Sequence, residues 1–361
     1  MLKHGVLTRY ARPFVTKVGS TSAGGRVIVL DGYAGEGRYE DSAEGSPIFF
    51  TRTAREVPLG RSLELIFVEK DKQRFEKLQQ VLAEEAEGVS YAVWQGEVTD
   101  HLDSALAMAE GVPFLAFLDP CGVGVPFADL AGKIFGRPNY QYAPGTEVLL
   151  NFSALAVARI GGRLKEGEGT KGRAATLARM DDACGGDWWR QVYLDSQTSE
   201  EAAELIADGF ARRLREASGA GSWVIGVRNA PHHQPKYALV FLSRHPDGLY
   251  LFGEAVSGAQ SDWRRAILPP DTLIDDEAFE ASEKELEQQW IQAIASNIKQ
   301  TLELDAQFTI ASRYAQVMGD TLGLAREKHV RAALKILQES KLLASNCIGE
   351  KKLHAHRVVR A

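Results

Sequence analysis

Cysteine is scarce. Cys121, Cys184 and Cys347 are the only three in 361 residues, widely spaced and odd in number. That excludes a disulfide framework and a cysteine-rich metal site, and no other residue pattern supports a metal; a reducing cytosol is the expected compartment. Long apolar runs are missing, so no segment reads as a membrane span. Met1-Leu2-Lys3-His4 lacks the apolar core of a signal peptide. A basic excess is missing too: the net charge of −6 does not announce a polyanion binder. What is present, 45% hydrophobic and 25% charged residues, is ordinary for a globular protein. The length suits one large domain and a smaller one, with a core that needs no staples.

The first half alternates two periods. Val27–Asp31, Leu63–Glu69, Ser90–Gln95, Phe114–Asp119 and Glu147–Phe152 read as strands. Lys72–Ala86 and Phe127–Phe135 read as helices between them. Such alternation predicts a parallel sheet covered by helices on both faces. Residues 154–218 read as a helical insert, with Thr198–Ala217 opening on the capping sequence Ser199-Glu200-Glu201. Trp188 and Trp189 lie in this insert and are read as its core rather than as a base-stacking platform. Two more strands are expected at Trp223–Val227 and Tyr237–Ser243, joined by the loop Asn229–Pro235, whose His232 and His233 are read as loop residues rather than ligands. Pro246–Gly253 fits either a strand or a helix, with the helix favoured.

Pro269-Pro270 and the acidic stretch from Asp271 to Glu287 mark a domain edge. The expected division is 1–268 as the main domain, 269–307 as an acidic helical linker, and 308–361 as a basic domain. Phe308–Leu322 and Lys328–Ser340 read as helices, the second amphipathic through Val330, Ala333, Leu334 and Leu337. A hairpin over Leu342–Val359 follows, turning at Gly349-Glu350-Lys351-Lys352. Helix, helix, basic hairpin is the pattern of a winged helix-turn-helix. Its cations favour a polyanion, with Lys328, Arg331 and Lys335 on the second helix as candidate phosphate contacts.

The chemistry gathers at strand ends. Val27–Leu30 leads into Asp31-Gly32-Tyr33-Ala34-Gly35-Glu36-Gly37, a turn whose glycines let the backbone approach a ligand. Asp31, Ala34, Gly35 and Gly37 are candidate cofactor residues. Glu69 ends the second strand, where an acid grips ribose hydroxyls. Glu97 follows the third and would accept the adenine amino group. The turn matches neither G-x-G-x-x-G nor a P-loop. S-adenosylmethionine (SAM) fits better than NAD or ATP. A purely structural turn with surface acids is the alternative.

Phe114–Leu118 ends in Asp119-Pro120-Cys121-Gly122. In amino-methyltransferases an Asp/Asn-Pro-Pro-aromatic segment at this place holds an exocyclic amine and stacks on a flipped base. Asp119 and Pro120 are the catalytic candidates here. Cys121-Gly122 replaces Pro-aromatic, so stacking falls to Tyr33, Tyr39 or Phe127. Pro-Cys also resembles the thiolate nucleophile of cytosine-C5 methyltransferases. The favoured reading of Cys121 is a small buried turn residue.

Together these motifs, with Lys3-His4, Gly45-Ser46-Pro47, Glu147–Phe152 and Lys328–Leu337, resemble the three-Cys-motif partner (TcmP) family along most of the chain. The N-terminal motifs are also similar to the RlmJ-type ribosomal RNA adenine-N6 methyltransferases. The resemblance implies a Rossmann-like SAM-dependent methyltransferase sheet with a helical insert, plus the C-terminal winged helix-turn-helix. It implies a nucleic-acid substrate, DNA or RNA, and a three-Cys-motif radical-SAM-like protein partner. By the same analogy Lys3, His4 and Ser46 flank the cofactor, and Tyr39 and Asn151 contact substrate. Family members generally carry Phe at the position of Cys121, which speaks against a shared cysteine nucleophile. The expected activity is methyl transfer from SAM to nucleic acid, most plausibly to adenine N6. The alternatives are an inactive binding module of the same fold and a small-molecule methyltransferase.

Overall fold

The computed structural model describes residues 2–40, 42–138, 145–167, 170–228, 236–267, 276–344 and 353–361. Two compact units divide the chain: Tyr10–Leu249, and Met1–Arg9 with Tyr250–Ala361.

The larger unit is built on a seven-stranded sheet. Its strands are β1 (Arg26–Asp31), β2 (Ser62–Glu69), β3 (Ser90–Gln95), β4 (Phe114–Leu118), β5 (Thr146–Ser153), β6 (Gly221–Val227) and β7 (Tyr237–Ser243), in the order β3-β2-β1-β4-β5-β7-β6. The first five run parallel, and β7 lies antiparallel between β5 and β6. This is the expected Rossmann-like α/β fold. Val27–Leu30 and Phe114–Leu118 are almost wholly buried, which explains why central strands read as continuous apolar runs rather than alternating ones. Chain order reverses between β1 and β4, so a crevice opens at their carboxyl ends.

The crossovers are α2 (Ser46–Arg55), α3 (Lys72–Glu85) and α4 (Val98–Met108), following α1 (Leu2–Gly19). Asp71 caps α3 by accepting from the Arg74 N–H at 2.9 Å. The expected helix at Phe127–Phe135 is a short π-helix, Asp129–Ile134, that buries Leu130 and Ile134. The insert comprises α5 (Ala154–Gly162), α6 (Arg173–Cys184), α7 (Trp188–Asp195) and α8 (Ser199–Ser218), packed around Ile160, Met180, Trp189 and Ile206. Trp189 is fully buried, and the Trp188 indole donates to the Cys184 carbonyl at 2.9 Å, so both tryptophans serve the insert core.

The smaller unit departs from expectation at one helix. Residues 276–304 of the expected acidic helical linker form one long helix, α10 (Asp276–Leu304), that supplies Trp290, Ile291, Ile294 and Ile298 to the core. Pro269-Pro270, the expected edge, lies outside the described residues. Phe308–Leu322 is not one helix. It divides into β8 (Gln307–Thr309), a 3-10 turn, α11 (Tyr314–Met318) and a second 3-10 turn. The break has two causes: β8 pairs with β9 (Arg357–Val359), and Gly319 sits at φ 50°. Helix α12 (Glu327–Glu339) buries Val330, Ala333, Leu334 and Leu337, as its periodicity predicts. Leu343 bridges Arg360, while the expected turn at residues 349–352 lies outside the described residues. The expected helix at Pro246–Gly253 is the start of the longer α9 (Pro246–Ala266).

One buried charge in the sheet makes a stability test. Glu147 on β5 accepts from the Tyr10 hydroxyl and, at 2.8 Å, from the Ser243 hydroxyl. Burial pushes its carboxyl up to about 7, despite both hydrogen bonds. Its folded value lies above its unfolded one, so the native state holds the proton longer. Stability therefore falls as pH rises between about 4.5 and 7, by roughly 3 kcal/mol. Glu147→Gln cannot ionise. Urea unfolding should show it gaining on the wild type from pH 5 to pH 8; a pH-independent difference would contradict this assignment.

Candidate functional site: a cleft at the carboxyl ends of the parallel strands

The turn after β1 is fixed by its neighbour. The Glu69 carboxylate accepts from the Gly35 N–H at 2.8 Å and from the Asp71 N–H at 2.7 Å. Ala34 N–H bonds the Val68 carbonyl at 3.0 Å. The two strand-end turns are thus stitched together. Gly35 has φ 68°, and a Cβ there would meet only the Tyr39 hydroxyl, at 3.8 Å. The residue therefore leaves an open floor. At Gly32, a Cβ would come within 2.8 Å of the Leu118 side chain, so only glycine fits beneath the floor. Asp31 is fully buried behind the turn and accepts from the Tyr33 N–H at 3.3 Å.

Above this floor lies a cleft of about 1200 Å³. Of the candidate residues, Gly35, Tyr39, Glu69, Glu97, Asp119 and Pro120 line it. Glu97 precedes α4 and pairs with Lys70, which also lines the cleft. Asp31, Ala34, Gly37 and Ser46 are not among the lining residues; the first two are buried behind it, and Ser46 begins α2. Lys3 and His4 fall in the first turn of α1, within the other compact unit.

Asp119 follows β4 and is held from β5. The Asn151 amide donates to its Oδ1 at 2.6 Å. The expected substrate contact at Asn151 is thus, within the protein, a positioning contact to Asp119. Asn151 itself lines a second, water-sized cavity of about 20 Å³. Cys121 is exposed on the cleft wall and not a buried turn residue. Of the stacking candidates, Tyr39 is 46% exposed over the cleft, Tyr33 packs partly on the core, and Phe127 packs edge-on against Phe210. Burial and the charges of Asp119 and Asp31 push the Tyr39 phenol up, which keeps it neutral.

Four residues at this edge escaped the sequence reading. Tyr237, opposite Ser153 in the β5–β7 register, has its phenol pushed up by burial and by Asp119. Arg159, Arg163 and Arg179 come from the insert and line the cleft. Their only sequence signal is the four-residue spacing of Arg159 and Arg163, which puts both on one helix face. Conversely, the cations expected to meet phosphates on α12 are matched by acids: Lys328 with Glu287, Arg331 with Glu327, and Lys335 with Glu339 at 3.9 Å.

Among the described residues, no cluster could hold a metal ion and no helix is long and apolar enough to cross a membrane. No family model and no curated relative matches the chain. Its solved structural neighbours include the O-methyltransferase TomG from Streptomyces achromogenes in complex with SAM, at 13% identity, covering 65% of this chain and 79% of that one, with a TM-score of 0.31. They include an O-methyltransferase from Bacillus cereus in complex with SAH, at 11% identity, covering 64% and 79%, with a TM-score of 0.31. They also include the small RNA methyltransferase HEN1, at 13% identity, covering 65% and 26%, with a TM-score of 0.33. At these scores the resemblance is distant.

The Glu69 anchor predicts a stability cost of its own. Glu69→Ala leaves two turn N–H groups without their acceptor and should cost about 1–3 kcal/mol, read by urea unfolding without any ligand. An unchanged midpoint would contradict the anchoring role.

Proposed function

We propose that the chain is a SAM-dependent methyltransferase acting on an exocyclic amine of a nucleic-acid base, with adenine N6 the best-supported target. The observation that carries this reading is Asp119-Pro120 at the end of β4, held by Asn151 at 2.6 Å and opening on the same cleft as the Gly35 floor and Glu69.

The donor set fits the cofactor. The floor over Gly35 is open where a side chain would fill it. Each Glu69 oxygen accepts one backbone N–H and keeps a lone pair for a ribose hydroxyl. Glu97 offers an acceptor for an adenine amino group. SAM, when bound, supplies an electrophilic methyl group. The residues of this chain do the rest. The Asp119 carboxylate and the Pro120 carbonyl accept the amine hydrogens and orient the nitrogen lone pair. Asp119 is also the acceptor for the proton the amine sheds. Tyr39, exposed and neutral, offers a ring for the base in place of the missing aromatic after Asp119-Pro120.

A purely binding module would need no oriented carboxylate beside the cofactor cleft, so the Asn151 to Asp119 bond favours the enzyme. With labelled SAM and bulk nucleic acid, wild type should transfer label. Asp119→Ala should lose at least 100-fold in rate while SAM affinity, measured by calorimetry, stays within a few-fold. Asn151→Ala should lose less, about tenfold, because the carboxylate stays but loses a positioning contact. Unimpaired transfer by Asp119→Ala would overturn the assignment.

A further inference from the structure

The two walls of the cleft differ in charge. The wall formed by the strand-end turns carries Glu36, Glu69, Asp71 and Glu97 beside Lys70, Lys72 and Arg74. The insert wall carries Arg159, Arg163 and Arg179 against the single acid Asp182. Among the described residues, Arg159 and Arg179 form no ion pair, and Arg163 has only Glu166, at 3.5 Å. Arg159 and Arg179 are exposed. An Arg159 guanidinium nitrogen lies 3.9 Å from the point a Cβ on Gly122 would occupy, three residues from Asp119. Unspent positive charge therefore stands beside the reaction edge.

This wall is built, not draped. Arg173 at the start of α6 donates to the Arg163 carbonyl at 2.8 Å and ties α6 to the end of α5. A Cβ on Gly161 would meet the Tyr193 ring at 2.2 Å, so α5 sits tight on α7. Guanidinium groups on a fixed platform lose less entropy on binding than those on a loop.

We infer that Arg159, Arg163 and Arg179 bind the phosphodiester backbone flanking the target nucleotide, on the insert wall of the cleft. The inference rests on the nucleic-acid reading above and names the surface that reading lacks. Guanidinium forks suit phosphate oxygens, which they engage in pairs. A single strand or a flipped-out nucleotide is the form that reaches them, since a base must enter beside Asp119 while its phosphates stay at the rim. The volume, about 1200 Å³, exceeds the roughly 300–1000 Å³ of a small-ligand pocket and leaves room for cofactor and nucleotide together. The cations of α12 are matched by Glu287, Glu327 and Glu339 and offer less free charge.

The test is fluorescence anisotropy of a labelled single-stranded oligonucleotide, made once as DNA and once as RNA, against the full chain across a salt series. Each lost phosphate contact flattens the slope of log K on log salt by about 0.7. Arg159→Ala with Arg179→Ala should flatten it by about 1.4 and weaken low-salt binding at least tenfold. Replacement of both by Lys should restore most of the slope. Lys328→Ala with Lys335→Ala should change it less. Calorimetry with S-adenosylhomocysteine serves as the fold control, with wild-type affinity expected in every variant. If wild type binds the oligonucleotide and the double alanine variant keeps its slope and affinity, the phosphate wall is wrong and the nucleic-acid reading stands. If wild type binds S-adenosylhomocysteine but neither oligonucleotide, both fall together.

Discussion

The Glu69 carboxylate is the constraint on which the site depends. It ends β2 and takes one backbone N–H from the turn after β1 and one from the turn after its own strand. Two loops that a parallel sheet would leave independent become one rigid rim. Gly35 pays for this with a left-handed backbone that only glycine adopts at low cost. The result is a floor without side chains at the point where chain order reverses, where doubly wound sheets take their ligands.

The same logic of borrowed support recurs across the cleft. Asp119 leaves β4 at the edge of a wholly apolar strand, and a carboxylate there needs a partner. Asn151, one strand over, supplies it. Buried Glu147, four residues before Asn151 on β5, is held by Tyr10 and Ser243, so the strand that aims Asp119 is itself pinned from α1 and β7. The chemistry sits on strand ends, while the insert contributes charge. In the proposed reaction, that division would separate orientation of the amine from recognition of what carries it.

Much of this was legible. Ser90–Gln95 and Tyr237–Ser243 match the observed strands end to end, because apolar runs bounded by turn residues leave little freedom in register. Glu69 at the cleft rim was legible because it ends an apolar run. The buried face of helix α10 was not. Its acids dominate the composition, while Trp290, Ile291, Ile294 and Ile298 mark a narrow buried stripe within it. Phe308–Leu322 misled because apolar spacing cannot announce that β8 will pair with residues some fifty positions later. Arg159, Arg163 and Arg179 were overlooked for a related reason: which face of an insert meets the sheet edge is a tertiary fact. The acids beside Arg331 and Lys335 were in plain view as four-residue pairs on α12, yet their neutralising effect was outweighed by the count of cations.

The central claim is that the cleft over Gly35 and Glu69 is a SAM site. Calorimetric titration with S-adenosylhomocysteine tests it most directly, using wild type beside Glu97→Ala, a change at an exposed helix start that leaves the core untouched. The account expects single-site binding in the micromolar range, several-fold weaker in the variant. Absence of binding by the folded wild-type protein would contradict it.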